Sequence, residues 1–168
     1  MSVFVDTGVF YAHHDVDASR HDVATKALTE VLQSAEYGHV MTSDYIYDES
    51  VTLTYRRTGR MDDAIELGRR IRGVDPYPAG IGLLYTSQSL FSEAVELFEQ
   101  YAEHGLSFTD VMTIAVVEHH GIDAVLSFDD DFNGLVDRLA PATIQTSDYF
   151  CGEGANPPSS TERPEGAE

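Results

Sequence analysis

Short runs of β-forming residues alternate along this chain with helical stretches too long to be hairpin turns, and this limits the possible folds more than any other feature. "VFV" (Val3–Val5), "HVMTS" (His39–Ser43), "AGIGLLYTS" (Ala79–Ser87) and "IDAVLSF" (Ile122–Phe128) read as strands. Between them, Ser19–Glu36 places Val23, Ala27, Leu28, Val31 and Leu32 on one helical face, with Ser19 as its expected N-cap. A second helix, capped by Ser43 or Asp44, runs to about Thr58, where Gly59 ends it. Further helices are expected over "MDDAIELGRRIRG", Gln88–Glu103 and "SFTDVMTIAVVEHHG", stopped by Gly73, Gly105 and Gly121. "TIQTS" (Thr143–Ser147) is the expected last strand. Strands joined through whole helices pair in parallel, so the expected fold is a three-layer α/β/α arrangement around a mainly parallel sheet.

The length, 168 residues, suits one domain with a real core, expected over 1–150. From 151 onward the chain turns to Pro, Gly, Ser and Glu without apolar periodicity, the composition of a disordered acidic tail (151–168). No apolar run approaches the ~20 residues of a membrane helix. The N-terminus lacks the basic region of a secretory signal, and the single cysteine, Cys151, excludes an internal disulfide. A cytoplasmic location is the expectation. The net charge of −19, with one lysine among ten basic residues, is read as adaptation to high salt, where screening blunts self-repulsion. On that reading the charge does not exclude an anionic substrate. Six arginines lie close together: Arg56, Arg57, Arg60, Arg69, Arg70 and Arg72.

Several acids sit where a surface acid should not. Asp6 ends the apolar strand that opens the chain; taken alone, it is a turn residue leaving the sheet. Glu49 falls between Tyr45, Ile46 and Leu53 on a helical wheel, whereas Asp48 faces solvent. Asp110 opens a helix that is apolar almost all round, and its spacing from Ser107 is that of a capping box. "LSFDDDF" releases Asp129, Asp130 and Asp131 directly after a strand; Asp129 is the first inward candidate, Asp131 the second, and Asp130 suits a solvated turn. Ligands of parallel sheets gather beyond the carboxyl ends of the strands, where Asp6 and Asp129 fall. Carboxylates brought together repel unless a cation joins them, and an all-oxygen set suits Mg²⁺ or Mn²⁺. His13–His14 and His119–His120 are adjacent pairs without zinc spacing.

The ordered set "VDT", "DE" in the helix after the second strand, "SFTD", and "GIDAVLSFDDDF" resembles the PIN-domain ribonucleases, above all the VapC-type toxins of toxin–antitoxin systems. The resemblance covers about residues 1–147. It implies that Asp6, Glu49, Asp110 and Asp129 form an acidic quartet, with Asp131 as the alternative fourth acid, and that Thr7 and Ser127 are the hydroxyls beside it. By the same resemblance the protein is a Mg²⁺-dependent endoribonuclease. Asp6 and Asp110 would be the most direct metal ligands, Glu49 and Asp129 would complete the cup, and the products would carry a 5′-phosphate. It further implies an RNA substrate, a small antitoxin that puts a basic side chain into the acidic pocket, and a homodimer.

The competing class is a catalytically inert PIN-like adapter that binds RNA or protein, against which the complete quartet stands. A haloacid-type phosphatase needs an acid where Gly8 stands. A phospho-receiver domain needs a late lysine, and the only lysine is Lys26.

Overall fold

A computed structural model describes residues 1–144. Along the chain run β1 (Ser2–Val5), α1 (Thr7–His14), α2 (His21–Gln33), β2 (His39–Ser43), α3 (Asp44–Thr58), α4 (Met61–Arg72), β3 (Ile81–Leu84), α5 (Gln88–Gln100), α6 (Phe108–His120), β4 (Ala124–Leu126) and β5 (Arg138–Leu139). The strands form one parallel sheet in the order β3-β2-β1-β4-β5. The helices flank it, which is the expected three-layer architecture.

β1 is the central strand, and Val3, Phe4 and Val5 are wholly buried, as an uninterrupted apolar run requires when both faces are covered. Its partners are β2 on one side and β4 on the other, with Val5 in register with Leu126. The Asp6 N–H donates to the Leu126 carbonyl at 3.1 Å, carrying the ladder one residue past β1. The chain winds outward from β1 through β2 to β3, then returns to lay β4 on the opposite flank. The carboxyl ends of β1 and β4 therefore bound the switch point at which such sheets bind ligands.

α6 is the central helix. Seven consecutive residues, Val111 to Val117, are buried, so it has no polar face to offer solvent. Ser107 and Asp110 close a reciprocal capping box at its start, and Gly121 ends it at φ 60°. α3 begins at Ser43, whose hydroxyl accepts from the Ile46 N–H at 3.3 Å. Its deepest stripe is Ile46, Ser50 and Thr54; the Thr54 hydroxyl donates to the Ser50 carbonyl at 2.8 Å and stays satisfied without water. The neighbouring stripe of Tyr45, Glu49 and Leu53 is half-buried. Gly73 ends α4 at φ 60°, where a Cβ would stand 2.5 Å from Ala79 Cα; both constraints demand glycine.

Several elements depart from the sequence reading; among them, α5 ends at Gln100 with Tyr101 at its C-cap, short of the expected stop at Gly105. α1, directly after Asp6, was not anticipated, and α2 starts at His21 with Arg20 at its N-cap position rather than at Ser19. The fifth strand is Arg138–Leu139 rather than "TIQTS": Thr143 ends a 3₁₀ turn, and residues 145–147 lie outside the described residues, as do the expected tail and Cys151. No helix among the described residues is long and apolar enough to cross a membrane.

Candidate active site

The turn from β1 into α1 places Asp6 at the floor of a cleft of about 540 Å³. Its walls include Thr7, Gly8 and Arg20, then Glu49 and Leu53 from α3, Ser107 and Asp110 from the start of α6, and Phe128, Asp129 and Asp130 after β4. Asp6, Glu49, Asp110 and Asp129 thus arrive at one place from segments separated by up to 123 residues. Asp131 is exposed and is not among the walls; its backbone N–H donates to Asp129 Oδ1 at 2.9 Å. Asp130 does line the cleft while pairing with Arg138 at 2.7 Å.

Three of the acids are each held by a hydroxyl. The Ser127 hydroxyl donates to Asp6 Oδ2 at 2.7 Å and itself accepts the Asp129 N–H at 2.9 Å. The Thr7 hydroxyl donates to Glu49 Oε2 at 2.6 Å, linking the first residue of α1 to α3. The Ser107 hydroxyl and N–H both donate to Asp110 Oδ2, at 2.6 and 2.9 Å. Capping and site lining therefore coexist in Asp110. Each of these contacts engages one carboxylate oxygen and fixes the direction of the other.

Asp6 is only 8% exposed, and its carboxyl is pushed up to about 6. Burial is the main cause; the charges of Asp110 and Glu49 add to it, while the Ser127 hydroxyl and the Thr7 N–H oppose it. An ionised Asp6 is thus energetically strained by its surroundings, which a divalent cation would relieve. The donor chemistry fits a hard cation: the acids supply only oxygen, and burial excludes competing water from the deepest of them. Among the described residues, no group of three or more His, Cys, Asp or Glu side chains forms a ready-made metal cage.

The family model of the PIN domain matches residues 3–136, which contain the whole cleft. The chain belongs to the PIN domain family. Comparison with the curated proteins returns no match. Among solved structures, this PIN domain is similar to the Mycobacterium tuberculosis VapC20, a sarcin–ricin loop cleaving toxin, at TM-score 0.65 and 26% identity over 77% of this chain and 92% of that one. It also shares its fold with FitAcB from Neisseria gonorrhoeae, at TM-score 0.59 and 16% identity over 84% of this chain and 99% of that one. The family resemblance read from the acidic motifs is borne out.

Sequence reasoning missed Arg20, Phe128 and Arg138. The Arg20 guanidinium stacks over the Phe128 ring at 4.8 Å, and no periodicity connects two residues so far apart in sequence. Arg138 bonds the Ser127 carbonyl at 3.1 Å, Asn133 at 2.8 Å and Asp130, bracing the loop that carries Asp129. None of the arginines from Arg56 to Arg72 lines the cleft; Arg60 pairs with Asp63 and Arg70 with Glu66 along α4. A more enclosed cavity of about 360 Å³ between α1, α2 and α4 has mostly apolar walls and no acid. Its convergent acids make the acidic cleft, rather than this cavity, the candidate site.

Proposed function

We propose that this PIN domain is a Mg²⁺-dependent endoribonuclease and the toxin of a toxin–antitoxin pair. The observation that carries the reading is the convergence of Asp6, Glu49, Asp110 and Asp129 on one cleft at the sheet's switch point. The similarity to a toxin that cleaves the sarcin–ricin loop supports RNA as the substrate class.

In this mechanism Asp6 and Asp110 would hold the cation, Glu49 and Asp129 would complete the set, and Mn²⁺ would serve in place of Mg²⁺. When bound, the cation neutralises phosphodiester charge and lowers the pKa of water. Ser127 keeps Asp6 in one orientation and favours its ionised form. Thr7 fixes Glu49 in one orientation through its hydroxyl. Ser107 holds Asp110 in the first turn of α6, where the helix dipole also favours its charge. In-line attack leaves a 5′-phosphate.

An antitoxin would inhibit by placing a basic side chain among these acids. A homodimer is supported by the exposed Phe91 and Phe98, which pack around Phe108 on α5 and α6 and present apolar surface.

The test is incubation of purified protein with RNA at high salt, with Mg²⁺ or with EDTA. Cleavage is expected with the metal alone, and to disappear in Asp6→Asn and Asp110→Asn. Equal cleavage by either variant identifies a contaminant. RNA binding without cleavage or metal binding would favour the inert adapter.

A further inference from the structure

Arg20 stands apart from the other structurally described arginines near acids. Arg60, Arg70 and Arg138 each form an ion pair, at 3.3, 2.7 and 2.7 Å. Arg20 lines a cleft with Asp6, Glu49, Asp110, Asp129 and Asp130, yet among the described residues it makes no ion pair and no side-chain hydrogen bond. It lies instead against the face of Phe128, with its central carbon 4.8 Å from the ring centroid.

That arrangement has a chemical consequence. A cation–π contact consumes none of the guanidinium N–H groups, and those of Arg20 have no hydrogen-bond partner among the described residues. A planar fork of donors matches the two non-bridging oxygens of a phosphodiester. Phe128 is also placed by the catalytic loop itself, since Ser127 bonds Asp6 and the next residue but one is Asp129. The ring therefore ties the position of the cation to the position of the acids. In a chain of net charge −19, Arg20 is the one basic residue lining this cleft among five acids, and so the one wall that attracts an approaching polyanion by charge.

We propose that Arg20, held by Phe128, contacts a phosphate of single-stranded RNA flanking the bond to be cut. The inference rests on the ribonuclease reading and goes further by assigning a substrate-binding residue. Arg20 acts in binding: it brings the strand to the acids and holds it in register.

The experiment measures cleavage of a short, fluorescein-labelled single-stranded RNA by wild type, Arg20→Gln, Arg20→Lys and Phe128→Leu across a KCl series with Mg²⁺. Binding of the same RNA to Asp110→Asn protein, with and without Arg20→Gln, is followed by anisotropy. Loss of a charged hydrogen bond predicts a rise in KM of about tenfold or more for Arg20→Gln, with kcat kept within about threefold. The slope of log affinity against log salt should flatten by about 0.7, the value for one phosphate contact on a single strand. Arg20→Lys restores that slope without the full affinity, and Phe128→Leu falls between. Unchanged KM and salt slope in Arg20→Gln, or a fall in kcat alone, overturns the proposal. If wild type neither binds nor cleaves RNA, the nuclease reading itself fails, and that result is distinct from an inert Arg20 substitution in an active enzyme.

Discussion

The Ser127 hydroxyl donates to Asp6 Oδ2 at 2.7 Å, joining the ends of two neighbouring parallel strands through the buried acid of the cleft. Ser127 is wholly buried, so this bond has no water to replace it. Ser127→Ala should cost about 1–3 kcal/mol, because it strips an ionisable group of a donor and leaves the Asp129 N–H without its acceptor. Since Ser127 lowers the Asp6 pKa, its loss raises it further. The acid limb of the cleavage rate should then move to higher pH, measurable as kcat/KM against pH.

Asp6 makes the metal-free fold sensitive to pH in a defined direction. Its carboxyl is raised from 3.8 to about 6, so between these values the unfolded chain releases a proton that the folded chain retains. Stability conferred by the neutral acid is full below pH 3.8 and is lost as pH rises to about 6. The loss amounts to about 3 kcal/mol. In EDTA at pH 7, Asp6→Asn should therefore melt at higher temperature than wild type, with the difference vanishing near pH 3.8. Mg²⁺ should stabilise wild type and leave Asp6→Asn unmoved. A variant less stable than wild type in EDTA at pH 7 would contradict this account.

Asp129 and Asp131 are separated by their positions. Both are exposed, but Asp129 lines the cleft and Asp131 lies outside it. Asp129→Asn should lower kcat/KM about 10- to 100-fold, the range for groups that organise a metal site. Asp131→Asn should stay within about twofold, as an exposed substitution does. Cleavage assays at saturating Mg²⁺ decide between them.

Arg138 is 13% exposed and braces the same loop through Ser127, Asn133 and Asp130. Arg138→Met keeps the apolar stem and removes all of these bonds. A loss of about 1–3 kcal/mol in urea unfolding is expected, the cost of losing charge-assisted hydrogen bonds. Activity should fall with it even at temperatures where the variant is fully folded, because Asp129 loses its support.

The parallel sheet and α3 to α6 were legible because each carries its own local signal. Ser43 caps α3, Gly59, Gly73 and Gly121 end helices in the left-handed conformation, and Ser107 and Asp110 form a box. α1 was not legible: "TGVFYAHH" is apolar and aromatic, follows a strand without a break, and is buried over most of its surface, so it has no polar face to set a helical period. β5 has two residues, too few for alternation to register. The acids could be read because a carboxylate at a strand end or on a buried helix is locally anomalous. Arg20 is locally ordinary, and its significance comes from Phe128, a contact made only by tertiary folding.

The order of the strands governs when such a cleft can exist during synthesis. β1 is made first, yet it occupies the centre of the sheet, and its flank toward β4 stays bare until residues 124–126 have left the ribosome. Until then Asp6 has no Ser127 beside it, and Asp129 has not been made. A chain lacking the residues from 124 onward holds Asp6, Glu49 and Asp110 with one wall of the cleft missing. The topology thus fixes the order of assembly: the cleft is complete only after the sheet has closed around its oldest strand.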